Sequence, residues 1–277
     1  MLKHVDAEPL AAVAPEADSS YDPECFDRLA AVEDRHFWFR ARAQVIAAVA
    51  RRITVAFDPG YRVLEVGCGS GKILGVLEPA CPGSRVFGMD LHREGLRHAR
   101  RRCSQPLVQA DILAPPFRAS FHLIGLFDVL EHLGDDVAVL ERLRPLLAPQ
   151  GLLLITVPAH PSLWSYFDEW SHHRRRYTAA ELRRSLAAAG YQLDFLSPYM
   201  CAIFPLLWLG RRIASLRRRP AGELAGADLQ VVPVVNEALA WLLSLEAPWL
   251  ARRRRLPLGT SILAIARAAR QPNFANS

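Results

Sequence analysis

Residues 63–71 read Val-Leu-Glu-Val-Gly-Cys-Gly-Ser-Gly, three alternating glycines closing a short apolar run. No other segment restricts the fold more. Arg62–Val66 suits a buried strand and Lys72–Leu77 a helix, which places the glycines in a strand-to-helix turn. Glycine tolerates left-handed backbone there and lets a ligand approach the free N–H groups of a helix start. Two nucleotide signatures fail on inspection. A phosphate-binding P-loop needs glycine where Val66 stands and Ser or Thr where Ile73 stands. A dinucleotide fingerprint needs a third glycine at the position of Lys72. What remains is G-x-G-x-G with an acid, Glu65, two residues before it.

The flanking pattern alternates strand and helix. A helix is predicted over Phe37–Arg52, then strands over Arg85–Met89, Leu107–Ala110, Phe121–Phe127, Leu152–Val157 and Tyr191–Leu196. Helices are predicted over Arg93–Cys103 and Asp135–Leu147, the latter ended by Pro149 and Gly151. Thr178 and Glu181 have capping-box spacing and open a helix over Ala179–Ala189 that Gly190 stops. Ser261–Ala266 is a last apolar strand. Such repeats imply an α/β fold with a mostly parallel sheet covered on both faces. With 277 residues, 51% of them hydrophobic, the chain has ample core material and is not disordered. Five scattered cysteines without a C-x-x-C pair exclude a disulfide scaffold and suit a reducing cytoplasm. Residues 1–20 read as a loose leader, and the acidic, h-region-free start is not a signal peptide.

With these neighbours the glycine turn resembles that of the class I S-adenosylmethionine-dependent methyltransferases, in a small-molecule branch akin to the ubiquinone and type 11 enzymes. The resemblance rests on Asp90 after the second strand, Asp111-Ile112 after the third, and Phe127-Asp-Val-Leu-Glu-His132 after the fourth. It implies a Rossmann-like seven-stranded sheet, mostly parallel with an antiparallel last strand, and S-adenosyl-L-methionine as cofactor. The implied donor contacts are Glu65 to the ammonium, Gly67, Cys68, Gly69 and Gly71 around the methionine part, and Asp90 with Leu91 at the ribose. Asp111 and Ile112 meet the adenine, and Phe127 and Asp128 lie beside the methyl donor. His36-Phe-Trp-Phe-Arg-Ala-Arg42 resembles the aromatic–arginine lead-in of one bacterial branch, which implies Trp38 packing on the donor and Arg40 meeting its carboxylate. An ordinary amphipathic helix with core aromatics explains the same residues equally well.

For the acceptor, Ala114-Pro-Pro-Phe117 precedes the fourth strand, whereas the tetrad of nucleic-acid amino-methyltransferases follows it. DNA is therefore not the expected partner. The segment from Val157 to Thr178 lies at the carboxyl end of the sheet, where open α/β folds place their sites. It resembles the same bacterial branch, and His160, Trp164, Asp168, Arg175, Arg176 and Tyr177 are the implied acceptor-binding residues. His132 and His173 are candidate general bases, since imidazole titrates near neutrality. No metal is expected, because Asp128 and Asp168 lack a clear third partner for an oxygen-rich site.

The basic charge is almost all arginine, 32 residues against two lysines, and belongs to the last third of the chain. Between the sixth and seventh strands lie two apolar stretches, Met200–Leu209 and Leu229–Leu250, each followed by arginines, Arg217–Arg219 and Arg252–Arg255. The first is too short to span a bilayer, and Pro233, Asn236, Glu237, Glu246 and Pro248 interrupt the second. Residues 199–257 are thus expected as a helical insertion in a methyltransferase domain of residues 21–198 and 258–277. A pocket cap, a homodimer surface and a contact with the inner face of a membrane stay open for it. The expected activity is methylation of O or N on a small or amphiphilic biosynthetic acceptor. The rival classes are a donor-binding protein without turnover and an RNA-modifying methyltransferase.

Overall fold

The computed structural model describes residues 23–216 and 231–269; the expected leader and Arg217–Arg219 lie outside the described residues. Seven strands form one sheet: β1 Arg62–Val66, β2 Arg85–Asp90, β3 Leu107–Gln109, β4 Phe121–Phe127, β5 Leu147–Pro158, β6 Tyr191–Tyr199 and β7 Ser261–Ala268. Their spatial order is β3-β2-β1-β4-β5-β7-β6. The pairs from β3 to β5 are parallel, whereas β7 runs antiparallel between β5 and β6, with Leu154 opposite Ile265 and Leu196 opposite Ala264. The fold is the expected Rossmann-like one. Strand alternation divides the core into two layers. Val63, Leu152 and Leu154 face one helical layer, and Leu64, Leu153 and Ile155 the other.

The helices are α1 Pro23–Val32, α2 Phe37–Thr54, α3 Leu74–Ala80, α4 Arg93–Arg102, α5 Asp136–Leu143, α6 Tyr166–Trp170 and α7 Ala179–Ala188. Three more, α8 Phe204–Leu216, α9 Pro233–Ser244 and α10 Glu246–Ala251, lie between β6 and β7. The capping box of α7 forms as its spacing predicts, with Glu181 N donating to Thr178 Oγ1 at 3.2 Å. The helix predicted over Asp135–Leu147 ends earlier, at Leu143. Pro145 cannot donate a helical hydrogen bond, so Arg144–Leu146 tightens to a 3-10 turn and β5 begins at Leu147. Helix α1 is not among the predicted elements. Its signal is the spacing of Phe26, Leu29 and Glu33, one helical face.

The segment between β6 and β7 packs on α2 through buried polar groups. The Asn236 side chain accepts from Phe37 N at 2.6 Å and donates to Arg35 O at 2.7 Å, capping the start of α2. Glu246 accepts from Met200 N and Cys201 N, both at 2.7 Å. Residues that read as interruptions of an apolar stretch are thus its anchors. No helix among the described residues is long and apolar enough to cross a membrane.

Candidate active site

The glycine turn runs from the end of β1 across the carboxyl edge of the sheet. Gly67 N and Cys68 N donate to Met89 O of β2 at 2.8 and 3.1 Å, which ties the turn to the neighbouring strand. Gly67, Gly69 and Gly71 all have positive φ, 73°, 48° and 78°. Gly67, Cys68 and Gly69 line a cavity of about 870 Å3, but Gly71 does not. A Cβ on Gly71 would lie 2.8 Å from Ala99 Cα, so this glycine lets α4 approach the turn.

Glu65 is buried, and its Oε2 reaches the cavity wall without a hydrogen-bond partner. Burial pushes its carboxyl well above the usual range, opposed by the Arg42 charge. Asp90 ends β2 in the same wall; its Oδ2 accepts from Gly69 N at 2.7 Å and its Oδ1 from His92 N at 2.8 Å. Each oxygen keeps a second lone pair for a ligand hydroxyl. Burial raises the Asp90 carboxyl, and these two N–H donors work against that rise. Leu91, Asp111 and Ile112 continue the wall, with Asp111 Oδ1 held by Leu113 N at 2.8 Å.

Helices α1 and α2 close one side of the cavity. Phe26, Leu29 and Glu33 come from α1, and Ser70 Oγ of the turn donates to Glu33 Oε2 at 2.5 Å. Trp38 lines the cavity as expected, but Arg40 does not. Its guanidinium takes the exposed Glu237 carboxylate of α9 in a fork, with 3.0 Å between Nη2 and Oε2. Residues two apart on a helix point to different sides, so Arg42 is the arginine that enters. It lies beneath the Trp38 ring, its Nε 2.6 Å from Asp128 Oδ2 and its Nη2 donating to Phe127 O at 2.6 Å.

The far end is built from the segment after β4 and the loop after β5. Asp128 adopts the left-handed region, φ 57°, which its short polar side chain tolerates, and Thr156 Oγ1 donates to it at 3.1 Å. The next turn carries Glu131 and His132, and Arg174 N donates to Glu131 O at 2.8 Å, stitching the two segments together. The His132 and His173 rings meet edge to face, centroids 4.8 Å apart, and both line the cavity with Arg176. Burial pushes the His132 imidazole down to about 3. His173 Nδ1 lies 2.9 Å from Asp168 Oδ1, which Arg176 Nε also donates to at 2.6 Å.

The other loop residues assigned to the acceptor support the site rather than line it. Asp168 is wholly buried behind His173, and Tyr177 is buried with its hydroxyl donating to Asp136 at 2.9 Å. Arg175 donates to Gly134 O at 2.6 Å, and His160 packs on Phe204. Trp164 is exposed and makes no part of the wall. Glu33, Arg42, Lys72, Glu131 and Asp135 are the charged wall residues that the expected site omitted. Glu131 was legible as part of the segment after β4 and Arg42 as the end of the aromatic–arginine lead-in; Glu33 had no signal beyond helical spacing.

The cavity fits S-adenosylmethionine: an acid at the end of β2, a second acid with an orphaned oxygen, and backbone turned open by positive-φ glycines. Comparison with known proteins agrees. An S-adenosylmethionine-dependent methyltransferase assignment in Mycolicibacterium smegmatis is 28% identical over 202 residues, covering 71% of this chain and 72% of that one. The trans-aconitate 2-methyltransferase of Azoarcus sp. is 34% identical over 155 residues, 52% of this chain and 59% of its own. In fold, the chain matches one from the complex of the Haloferax volcanii Trm112 methyltransferase activator with a methyltransferase. That likeness has a TM-score of 0.57 at 20% identity, over 88% of this chain and 98% of that one. The methyltransferase-domain family matches residues 36–194, more than half of the sequence. On that match and this cavity, the chain belongs to the methyltransferase-domain family, class I enzymes that use S-adenosylmethionine.

Proposed function

We propose that the chain transfers a methyl group from S-adenosylmethionine to an oxygen or nitrogen of a small, partly apolar biosynthetic acceptor. The observation that carries this is one continuous cavity running from the glycine turn to His132 and His173. At the turn, Asp90 accepts from the two ribose hydroxyls, Glu65 takes the ammonium, and Asp111 with Ile112 borders the adenine. Trp38 packs over the donor from α2, and Phe127 and Asp128 border its reactive end. S-adenosylmethionine, when bound, supplies a sulfonium methyl that reacts by in-line displacement. The protein's task is then alignment and exclusion of water, and α1 and α2 cover the cavity for that purpose.

His132 and His173 meet the reactive group of the acceptor. His132 is neutral at physiological pH and a weak proton acceptor; Asp168 holds His173 Nδ1 and leaves its Nε2 as the polar atom for this end of the cavity. Ile203 and Leu207, at the start of α8, bring apolar surface to the same cavity and favour an acceptor with an apolar part. Names among the relatives agree with a small molecule: besides the trans-aconitate enzyme, a ubiquinone biosynthesis O-methyltransferase of Psychrobacter arcticus is 26% identical over 177 residues.

Methyl-labelled donor offered with quinols, carboxylates, amines, polyketides and lipid-linked sugars tests this. Transfer to one of them, with kcat falling in His173→Asn more than donor affinity does, is expected. Donor binding without transfer to any, or transfer to RNA alone, overturns it.

A further inference from the structure

We propose that Glu131, His132 and His173 bind a single divalent transition-metal ion at the acceptor end of the cavity. One ligand atom from each lies within 4.8 Å of the other two. A tetrahedral ion with bonds near 2.1 Å sets its ligands roughly 3.4 Å apart, so binding must draw the three side chains together. Glu131 supplies the second, independent observation. It is 0% exposed, borders the cavity, and neither carboxylate oxygen has a hydrogen-bond partner. The two guanidinium groups nearby are committed elsewhere, Arg42 to Asp128 and Phe127 O, Arg176 to Asp168 and Ala159 O. Burial, with the Asp128 charge, pushes the Glu131 carboxyl well above the usual range, so a group this deep takes either a proton or a cation as its partner.

The surroundings have the form that metal-ligating histidines take. Asp168 holds His173 Nδ1 at 2.9 Å, so Nε2 is left to ligate, and Asp168 is itself fixed by Arg176 and by Ser165 N at 2.8 Å. Two imidazole nitrogens and one carboxylate oxygen suit Zn2+, Co2+, Fe2+, Ni2+ or Mn2+ rather than the all-oxygen preference of Mg2+ and Ca2+. Three protein ligands leave a coordination position toward the cavity, where an acceptor oxygen would bind. Only that last role rests on the proposed methyl transfer. A search for oxygen ligands around Asp128 and Asp168 passes over this set, because its third member stands forty-one residues beyond His132.

The full chain, stripped with a chelator, is titrated with Zn2+ by calorimetry and with Co2+ by visible absorption. One equivalent of either ion per chain is expected, with thermal stability rising on binding. Glu131→Gln weakens binding at least about tenfold, and Asp168→Asn, which spares all three ligands, about tenfold. His98→Asn, on α4 and paired with Asp27, leaves it unchanged. S-adenosylhomocysteine affinity measured on each variant reports the intact fold and keeps this test separate from that of methyl transfer. No binding by the wild type, wild-type affinity in both Glu131→Gln and Asp168→Asn, or a Co2+ spectrum with thiolate charge-transfer bands overturns the proposal.

Discussion

Asp90 and the arginine pair of α2 show how much single side chains decide. Asp90→Ala removes a charge-assisted acceptor for two hydroxyls, which is worth about 1.5–3 kcal/mol. Calorimetry with S-adenosylmethionine and its demethylated product is expected to show both weakened about ten- to a hundredfold. Unchanged affinity would remove Asp90 from the ribose. Arg40 and Arg42 differ in burial and partner although only Ala41 separates them. Arg42→Gln leaves the half-buried Asp128 uncompensated, and a loss of about 2–4 kcal/mol is expected from denaturant unfolding. Arg40→Gln breaks a solvent-screened pair and is expected to leave the unfolding midpoint where it was. Equal effects from the two substitutions would contradict their placement.

At the scale of elements, α2 depends on α9 for its first turn. Asn236→Ala leaves Phe37 N–H and Arg35 C=O without partners in a part-buried place, a cost of about 2–4 kcal/mol. Asn236→Asp keeps the acceptor for Phe37 N and is expected to lose less. Because Trp38 sits in that first turn, the alanine variant is also expected to weaken donor binding; donor affinity equal to wild type would show the cap to be purely structural. Gly71 couples the glycine turn to α4. Gly71→Ala must hold φ 78° and place a methyl group 2.8 Å from Ala99 Cα. Destabilisation of about 1–3 kcal/mol in chemical unfolding is expected, whereas an ordinary loop glycine would show almost none.

The whole molecule carries its exposed apolar surface on one side of the chain's order. Ten of the thirteen exposed large hydrophobics among the described residues lie between β6 and β7, including Val234 at 82% and Trp241 at 65%. Trp249 stands beside them with Arg254 over its ring at 4.8 Å, and Arg252–Arg255 are exposed or nearly so. Tryptophan with arginine suits either a cap that leaves its charges in water or a face set against lipid headgroups. Vesicle co-sedimentation separates the two: binding to anionic and not to neutral lipid would mark the membrane face. Salt should release it, and replacing Arg252–Arg255 with Gln should abolish it. No sedimentation with any lipid would leave α8–α10 as a cap on α2 alone.

Several features were written locally and were therefore legible beforehand. The continuous apolar runs Val63-Leu64 and Leu152–Ile155 encode strands buried on both faces, whatever they pair with. Thr178 and Glu181 close a hydrogen bond across three residues, and the glycines of the turn need only their own φ. Asp90 was predictable because a strand end has one address in this fold. The rest depends on partners far away in sequence. Whether Arg40 or Arg42 enters the cavity is settled by Asp128 and Glu237, 86 and 197 residues from them. Asn236, a blemish in an apolar stretch, becomes a helix cap only when α9 lies against a helix start 199 residues upstream. Glu131, His132 and His173 become neighbours through one backbone bond from Arg174 to Glu131. Local sequence sets backbone conformation and which face is buried; the packing of distant segments selects each polar group's partner, and the chemistry at the far end of the cavity follows from those partners.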